Sequence, residues 1–298
     1  MRALGDLVGR SYGPFTFRVS PSQVAAYVEA TGDDPERWIR YAPPSFAGAV
    51  LFKAAPAFFA DPDVASRARL LIHGDQIFAW ERPWEIGSLL TVGARIERLR
   101  ERGGTAFVTF VLDVTDDTQQ MVLSSRSLFL MSSAEPPGGG APEREEPEPE
   151  ARRTTERPSY EAKGEGSLVR PLAKSASRAD LIRYAAASED FNPVHWDHGR
   201  GVDSGVGGVI CHGLLLAAWA PQPAAASVER SDPLAAARFR FRIPLYPDAA
   251  ATVTTRVSDQ DDGVTSVAAA VVSEAGRHVV ATISARTSDQ GARTGRIG

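Results

Sequence analysis

An α+β protein built from two similar halves is the fold class this sequence predicts, on three observations. A helix start recurs at an offset of 157 residues, from Ser20 to Ser177. Each helix leads into runs of alternating, β-branched residues that read as antiparallel strands. Between the halves, Ser132 to about Tyr160 is rich in proline, glycine and charge and nearly free of apolar residues. Such a segment cannot offset its ordering entropy by burial, so it reads as a linker.

Taken in order, Ser20-Pro-Ser-Gln-Val-Ala-Ala-Tyr27 is a helix start whose serine can accept from the orphan N–H groups of the first turn. The helix runs into the acidic turn Thr31-Gly-Asp-Asp-Pro35. The small and apolar stretch Pro44–Phe52 suits a buried helix. Strands are expected at Gln76–Trp80, Leu89–Ile96, Ala106–Val114 and Val122–Leu130. The second half repeats this order. Ser177-Arg-Ala-Asp-Leu-Ile-Arg-Tyr184 opens a helix, and Ser188-Glu-Asp-Phe-Asn-Pro193 is its acidic turn. Gly207–Trp219 passes from glycines into an apolar helix. Strands are expected at Arg238–Arg242, Ala251–Val257, Thr265–Val272 and Val279–Arg286. The expected division is a first domain at 1–132, a linker at 133–160, a second domain at 161–289 and a loose tail at 290–298. One long helix packed on a curved sheet is expected in each domain.

Composition narrows the function classes. The 298 residues carry a net charge of −4, which gives no general affinity for nucleic acid. The single cysteine, Cys211, excludes an intrachain disulfide and fits a reducing compartment. The N-terminus lacks the apolar core of a signal peptide, and Leu214–Ala220 is too short to span a bilayer. A cytoplasmic protein that does not enter membranes is expected.

The chemistry concentrates in the second half. In Asp190-Phe-Asn-Pro-Val-His195 the proline restrains the loop, so a carboxylate and an imidazole are held at a defined separation. Together they can position and deprotonate one water. Asn192 offers a donor and an acceptor to orient them. Further on, Cys211-His-Gly213 opens the run Leu214–Trp219. The Gly213 N–H then stands at a helix start, free to meet a carbonyl oxygen that gains charge.

These motifs, Asp190-x-Asn-Pro-x-His195 and Ile210-x-His-Gly213 before a small-residue helix, resemble the MaoC-like family, which includes the (R)-specific enoyl-CoA hydratases. The whole chain is similar to the two-domain members, in which two hotdog folds are fused. His73-Gly-Asp-Gln-x-Phe before Arg82-Pro83 resembles their degenerate first domain. The resemblance implies reversible hydration of trans-2-enoyl thioesters, or dehydration of 3-hydroxyacyl thioesters. Asp190 and His195 would be the acid/base pair, Asn192 the supporting asparagine and Gly213 the oxyanion donor. Which of the pair acts as base is open. It implies coenzyme A or acyl carrier protein thioesters as partners, leaves room for a homodimer, and calls for no cofactor and no metal. The chain departs from the pattern at Glu189, where the family usually has glycine, at Val206-Gly-Gly208 and at Pro221. Asp33 lies at the position matching Asp190, but no histidine follows it and Ala47-Gly-Ala49 has no His-Gly pair. The first half therefore reads as scaffold, paired with the second around one active site.

Plainer readings apply elsewhere. Cys211 reads as a small buried residue and His212 as a brace for its turn. His195, His198, Cys211 and His212 include zinc-binding residue types, but the resemblance uses His195 as an acid/base. Arg238, Arg240 and Arg242 alternate with Phe239 and Phe241 and read as a solvated strand face, phosphate contact with coenzyme A being the alternative. Trp38, Trp80 and Trp84 read as core or as acyl-pocket lining. An acyl thioesterase and a non-catalytic acyl-binding subunit are the rival functions, because fold alone does not choose among them.

Overall fold

The computed structural model describes residues 4–66, 70–132, 142–144, 171–261 and 263–286. The tail at 290–298 lies outside these residues, as does the linker at 133–160 apart from 142–144.

The first half contains strands β1 (Ser11–Arg18), β2 (Tyr41–Ala42), β3 (Leu70–Trp80), β4 (Trp84–Glu85), β5 (Leu89–Arg102), β6 (Thr105–Thr115) and β7 (Met121–Ser132). Its helices are α1 (Pro21–Thr31), α2 (Ala47–Leu51), α3 (Ala55–Phe59) and α4 (Pro62–Ala65). The second half contains β8 (Leu172–Lys174), β9 (Leu234–Phe241), β10 (Ala251–Asp261), β11 (Val264–Ser273) and β12 (Gly276–Arg286). Its helices are α5 (Arg178–Ser188), α6 (His198–Asp203), α7 (Gly213–Trp219) and α8 (Gln222–Ala226).

Among the described residues, ten strands form one sheet in the order β1-β5-β6-β7-β3-β9-β12-β11-β10-β8. The order is symmetric about the β3–β9 pair, where Asp75 to Ala79 run antiparallel to Arg240 to Ala236. Each half thus completes the other's sheet edge, which alone would expose unpaired backbone groups. Alternation explains the buried face: in β6, Ala106, Val108, Phe110, Leu112 and Val114 point inward. On β9, Phe239 is buried while Arg238 and Arg240 lie outside against Asp75 of β3. Arg238 and Arg240 are thus paired across the junction of the halves.

Helices α1 and α5 occupy matching places, and the rings of Tyr27 and Tyr184 meet at 5.7 Å between them. Ser177 caps α5 through a reciprocal pair with Asp180. Ser20 does not cap α1 with its side chain, contrary to the sequence reading; its hydroxyl meets Ser22 Oγ at 2.9 Å. Pro21 fills the first helical position, where a missing N–H costs nothing.

The helix packed on each half of the sheet comes in pieces. In the second half the helical segment is broken at Ala220-Pro221 into α7 and α8, because Pro221 has no N–H to continue the ladder. In the first half, α2 and α3 are likewise two short pieces. Helix α7 packs against β12, and Leu214 to Trp219 are all buried. Trp38, Trp80 and Trp84 are all core residues, and Trp80 also lines a narrow apolar cleft between the halves with Ser45, Gly48, Leu214, Ala217 and Phe239. No helix among the described residues is long and apolar enough to cross a membrane.

Candidate active site

The turn that ends α5 carries the site. Glu189 closes the helix in the left-handed conformation, with φ 64°, and Asp190 follows. The Asp190 amide donates to Ser188 Oγ at 3.3 Å, and one Asp190 carboxylate oxygen accepts from the Asn192 amide at 3.3 Å. Asn192 caps the short 3-10 turn Pro193–His195, accepting from the Val194 amide at 3.4 Å. Proline thus turns the chain so that His195 faces back toward Asp190.

The second motif reaches the same place from α6. Gly201 and Gly208 let two backbone segments meet, since a Cβ at Gly201 would overlap the Gly208 carbonyl. The chain then runs past Val194, to whose carbonyl the Ile210 amide donates at 3.1 Å. In return, the Ile210 carbonyl accepts from His195 Nδ1 at 2.9 Å. That bond makes Nδ1 the protonated nitrogen and leaves Nε2 as the lone-pair acceptor. His212 Nε2 donates to the Asp190 carbonyl at 3.2 Å, and its ring stacks on His195 at 3.8 Å. His212 braces the turn, as expected.

Side-chain atoms of Asp190, His195 and His212 come within 4.8 Å of one another. Asp190 is 6% exposed and His195 8%. Burial acts on the two in opposite senses, since it disfavours the charged form of each. It raises the Asp190 carboxyl to about 7, against the Asn192 amide, which lowers it. It lowers the His195 imidazolium to about 4, against the Ile210 contact. At neutral pH the imidazole is neutral and the carboxyl is balanced between its two forms.

Of the zinc-type residues, only His195 and His212 gather with Asp190; Cys211 and His198 stand apart from this group. Cys211 is buried and its thiol is pushed up to about 12, as suits a packing residue. Gly213 is the first residue of α7, and a Cβ there would meet the Phe241 ring at 3.2 Å. The first N–H of a helix has no acceptor within it, so the Gly213 amide has no intrahelical partner.

Sequence reading missed three features. The Ile210 carbonyl orients His195, but a backbone atom leaves no signature in composition. Phe191 follows Asp190 and Trp196 follows His195 in the chain; they are 60% and 42% exposed, with Trp196 Nε1 donating to the Phe191 carbonyl. Lys53, from the first half, donates to both carboxylate oxygens of Glu189 at 2.7 and 2.8 Å.

Residues 142–278 match the family described as MaoC like domain, and residues 6–124 match the FAS1-like dehydratase domain region. A UPF0336 protein of Streptomyces avermitilis is 33% identical over 143 residues, which span 44% of this chain and 95% of that protein. Among solved structures, a MaoC-like dehydratase superposes with a TM-score of 0.79 at 20% identity, over 96% of this chain and 100% of the other. A Mycobacterium tuberculosis protein described as having a double hotdog fold superposes with a TM-score of 0.62 at 16% identity, over 95% and 97% of the two chains. The fold is therefore a double hotdog. The chain belongs to the MaoC-like dehydratase family.

Proposed function

We propose that this protein catalyses the reversible hydration of trans-2-enoyl thioesters to (R)-3-hydroxyacyl thioesters, with Asp190 and His195 as its acid/base pair. The observation that carries the proposal is the meeting of these two groups in a buried site, with their proton affinities moved in opposite directions.

The hydrogen bonds support one division of roles. His195 Nε2 is unprotonated because Nδ1 donates to Ile210, so it takes a proton from water as the oxygen bonds to C3. The protonated form of Asp190 delivers a proton to C2. A proton then passes from His195 to Asp190, and the pair is restored. One water is consumed, and no other co-reactant is needed. Asn192 holds the Asp190 turn, and the Gly213 amide stabilises the thioester oxygen as it takes on enolate charge. The carrier is coenzyme A or acyl carrier protein, in a reducing cytoplasm that suits the single buried cysteine.

The test is a panel of trans-2-enoyl thioesters on both carriers, following loss of the enoyl absorbance and release of free thiol. Formation of 3-hydroxyacyl thioester without thiol is expected. Thiol release with the double bond intact would make the protein a thioesterase instead.

A further inference from the structure

The catalytic turn is held by a residue of the half that lacks the pair. Glu189 adopts φ 64° and ψ 19°, a region where side chains other than glycine, asparagine and aspartate are uncommon. The matching residue of the first half is Gly32, at φ 58° and ψ 40°. The same bend is therefore made with glycine where no catalytic loop follows and with glutamate where one does.

What the glutamate adds is its carboxylate, which receives Lys53 Nζ on both oxygens. Lys53 follows α2 in the first half, and its ammonium also lies 5.5 Å from the Phe17 ring centroid. The side chains of Lys53 and Glu189 are 26% and 38% exposed, a setting in which ion pairs add little to stability. A strained residue carrying a weakly stabilising pair is poorly explained by stability alone. Asp190 is the next residue. Its backbone is fixed from two other directions, through its amide to Ser188 Oγ and its carbonyl to His212 Nε2.

The arrangement has a counterpart. Lys174 of β8, in the second half, donates to the carbonyls of Thr31 and Gly32 at 3.1 and 2.7 Å. Each acidic turn is thus gripped by a lysine of the opposite half. The first-half turn is held by its backbone, which requires no particular side chain. Lys53 instead bonds directly to a carboxylate of the second-half turn, that of Glu189.

We infer that Lys53 and Glu189 are positioning residues for the reaction: their ion pair across the two halves sets the entry of the loop and so the placement of the Asp190 carboxylate. This rests on the Asp190–His195 reading. A displacement of the carboxylate by an ångström is enough to cost turnover steeply, while substrate contacts made elsewhere are unchanged.

The experiment uses the full chain and measures kcat, KM and Tm. Glu189→Gly keeps the bend, relieves the positive φ and removes the pair. Its Tm is expected to hold or rise while kcat falls about tenfold, with KM within about twofold. Lys53→Glu is expected to lose at least as much. The double variant Lys53→Glu with Glu189→Lys, which reverses the pair, is expected to recover most of that loss. Wild-type kcat in Glu189→Gly, a fall in its Tm alongside kcat, or a reversed pair no better than Lys53→Glu would each overturn the inference. Asp190→Asn run alongside separates the two readings. Full turnover in that variant sinks the acid/base pair and this inference together. An inactive Asp190→Asn beside a fully active Glu189→Gly sinks the ion-pair role alone.

Discussion

The two acidic turns of this chain share a scaffold and differ in chemistry. Both follow an eleven-residue helix, α1 or α5, whose last residue bonds its hydroxyl back to the carbonyl of a tyrosine one turn earlier: Thr31 to Tyr27, and Ser188 to Tyr184. Both then place an aspartate after a left-handed residue. In each, burial raises the carboxyl. Around Asp33, however, the neighbouring charges are Lys174 and Arg37, which pull it back toward the ionised form. Around Asp190 the neighbours are two imidazoles that burial keeps neutral. The lesson is that a carboxyl raised by desolvation is common to both halves, and the company of histidine is what distinguishes the turn proposed as the acid/base site.

The largest expected effect removes that company. His195→Ala should lower hydration about a thousandfold, with the fold intact. Adding Asp190→Asn should cost little more, because in the proposed mechanism the two act as a unit in one addition. Additive losses, measured in purified and folded protein, would show that they work separately.

Next in size is the proposed oxyanion donor. Gly213→Pro removes the N–H at the first helical position, where proline is otherwise well tolerated. Gly213→Ala introduces the same Cβ against Phe241 while keeping the N–H. The proline variant should fall about a hundredfold below the alanine variant in kcat. Equal rates would remove the amide from the mechanism.

The pH dependence sharpens the contrast further. Rates should decline as pH rises past about 7, where Asp190 loses the proton it delivers, and below about 4, where His195 gains one. Stability follows the same carboxyl. Its folded value is raised from 3.8 to about 7, so its contribution is fully present below the unfolded value and is lost as pH rises through the folded one. Asp190→Asn should therefore be more stable than wild type at pH 8, by on the order of 4 kcal/mol, with the gain shrinking toward pH 4. Denaturant titrations at the two pH values check this; an equal gain at both would show that ionisation is not its source.

The smallest effect concerns the segment between the halves. Arg144 packs its guanidinium 3.8 Å from the Tyr246 ring centroid and donates its amide to the Gly207 carbonyl. A deletion confined to 136–140 should leave Tm and turnover unchanged, since loop closure varies slowly with length. Arg144→Ala should lower stability by about 1 kcal/mol or less. A larger loss from the deletion would make that stretch more than a tether.

Much of this was legible in the sequence, and the exceptions have physical causes. The helix at Ser177 announces itself by its cap and eight strands by their alternation, while the helix at Ser20 starts where expected without the expected side-chain cap. Strand β1 was missed because Gly13-Pro14 interrupts its pattern, and β8 because three residues carry no period. The break at Pro221 was visible as a residue but not read as a kink. At the site, Asp190, Asn192, His195 and Gly213 stood out because proline and glycine mark their spacing. The grip of Lys53 on Glu189 did not, since the partners lie 136 residues apart and only the packed halves bring them together.

The central claim is that acid/base chemistry belongs to the second turn alone. The most direct measurement is the hydration rate of one short trans-2-enoyl thioester by Asp33→Asn and Asp190→Asn, prepared and assayed side by side. Asp33→Asn should keep its rate within about twofold of wild type, and Asp190→Asn should lose about a thousandfold. Comparable rates in the two variants, whether both high or both low, would contradict it.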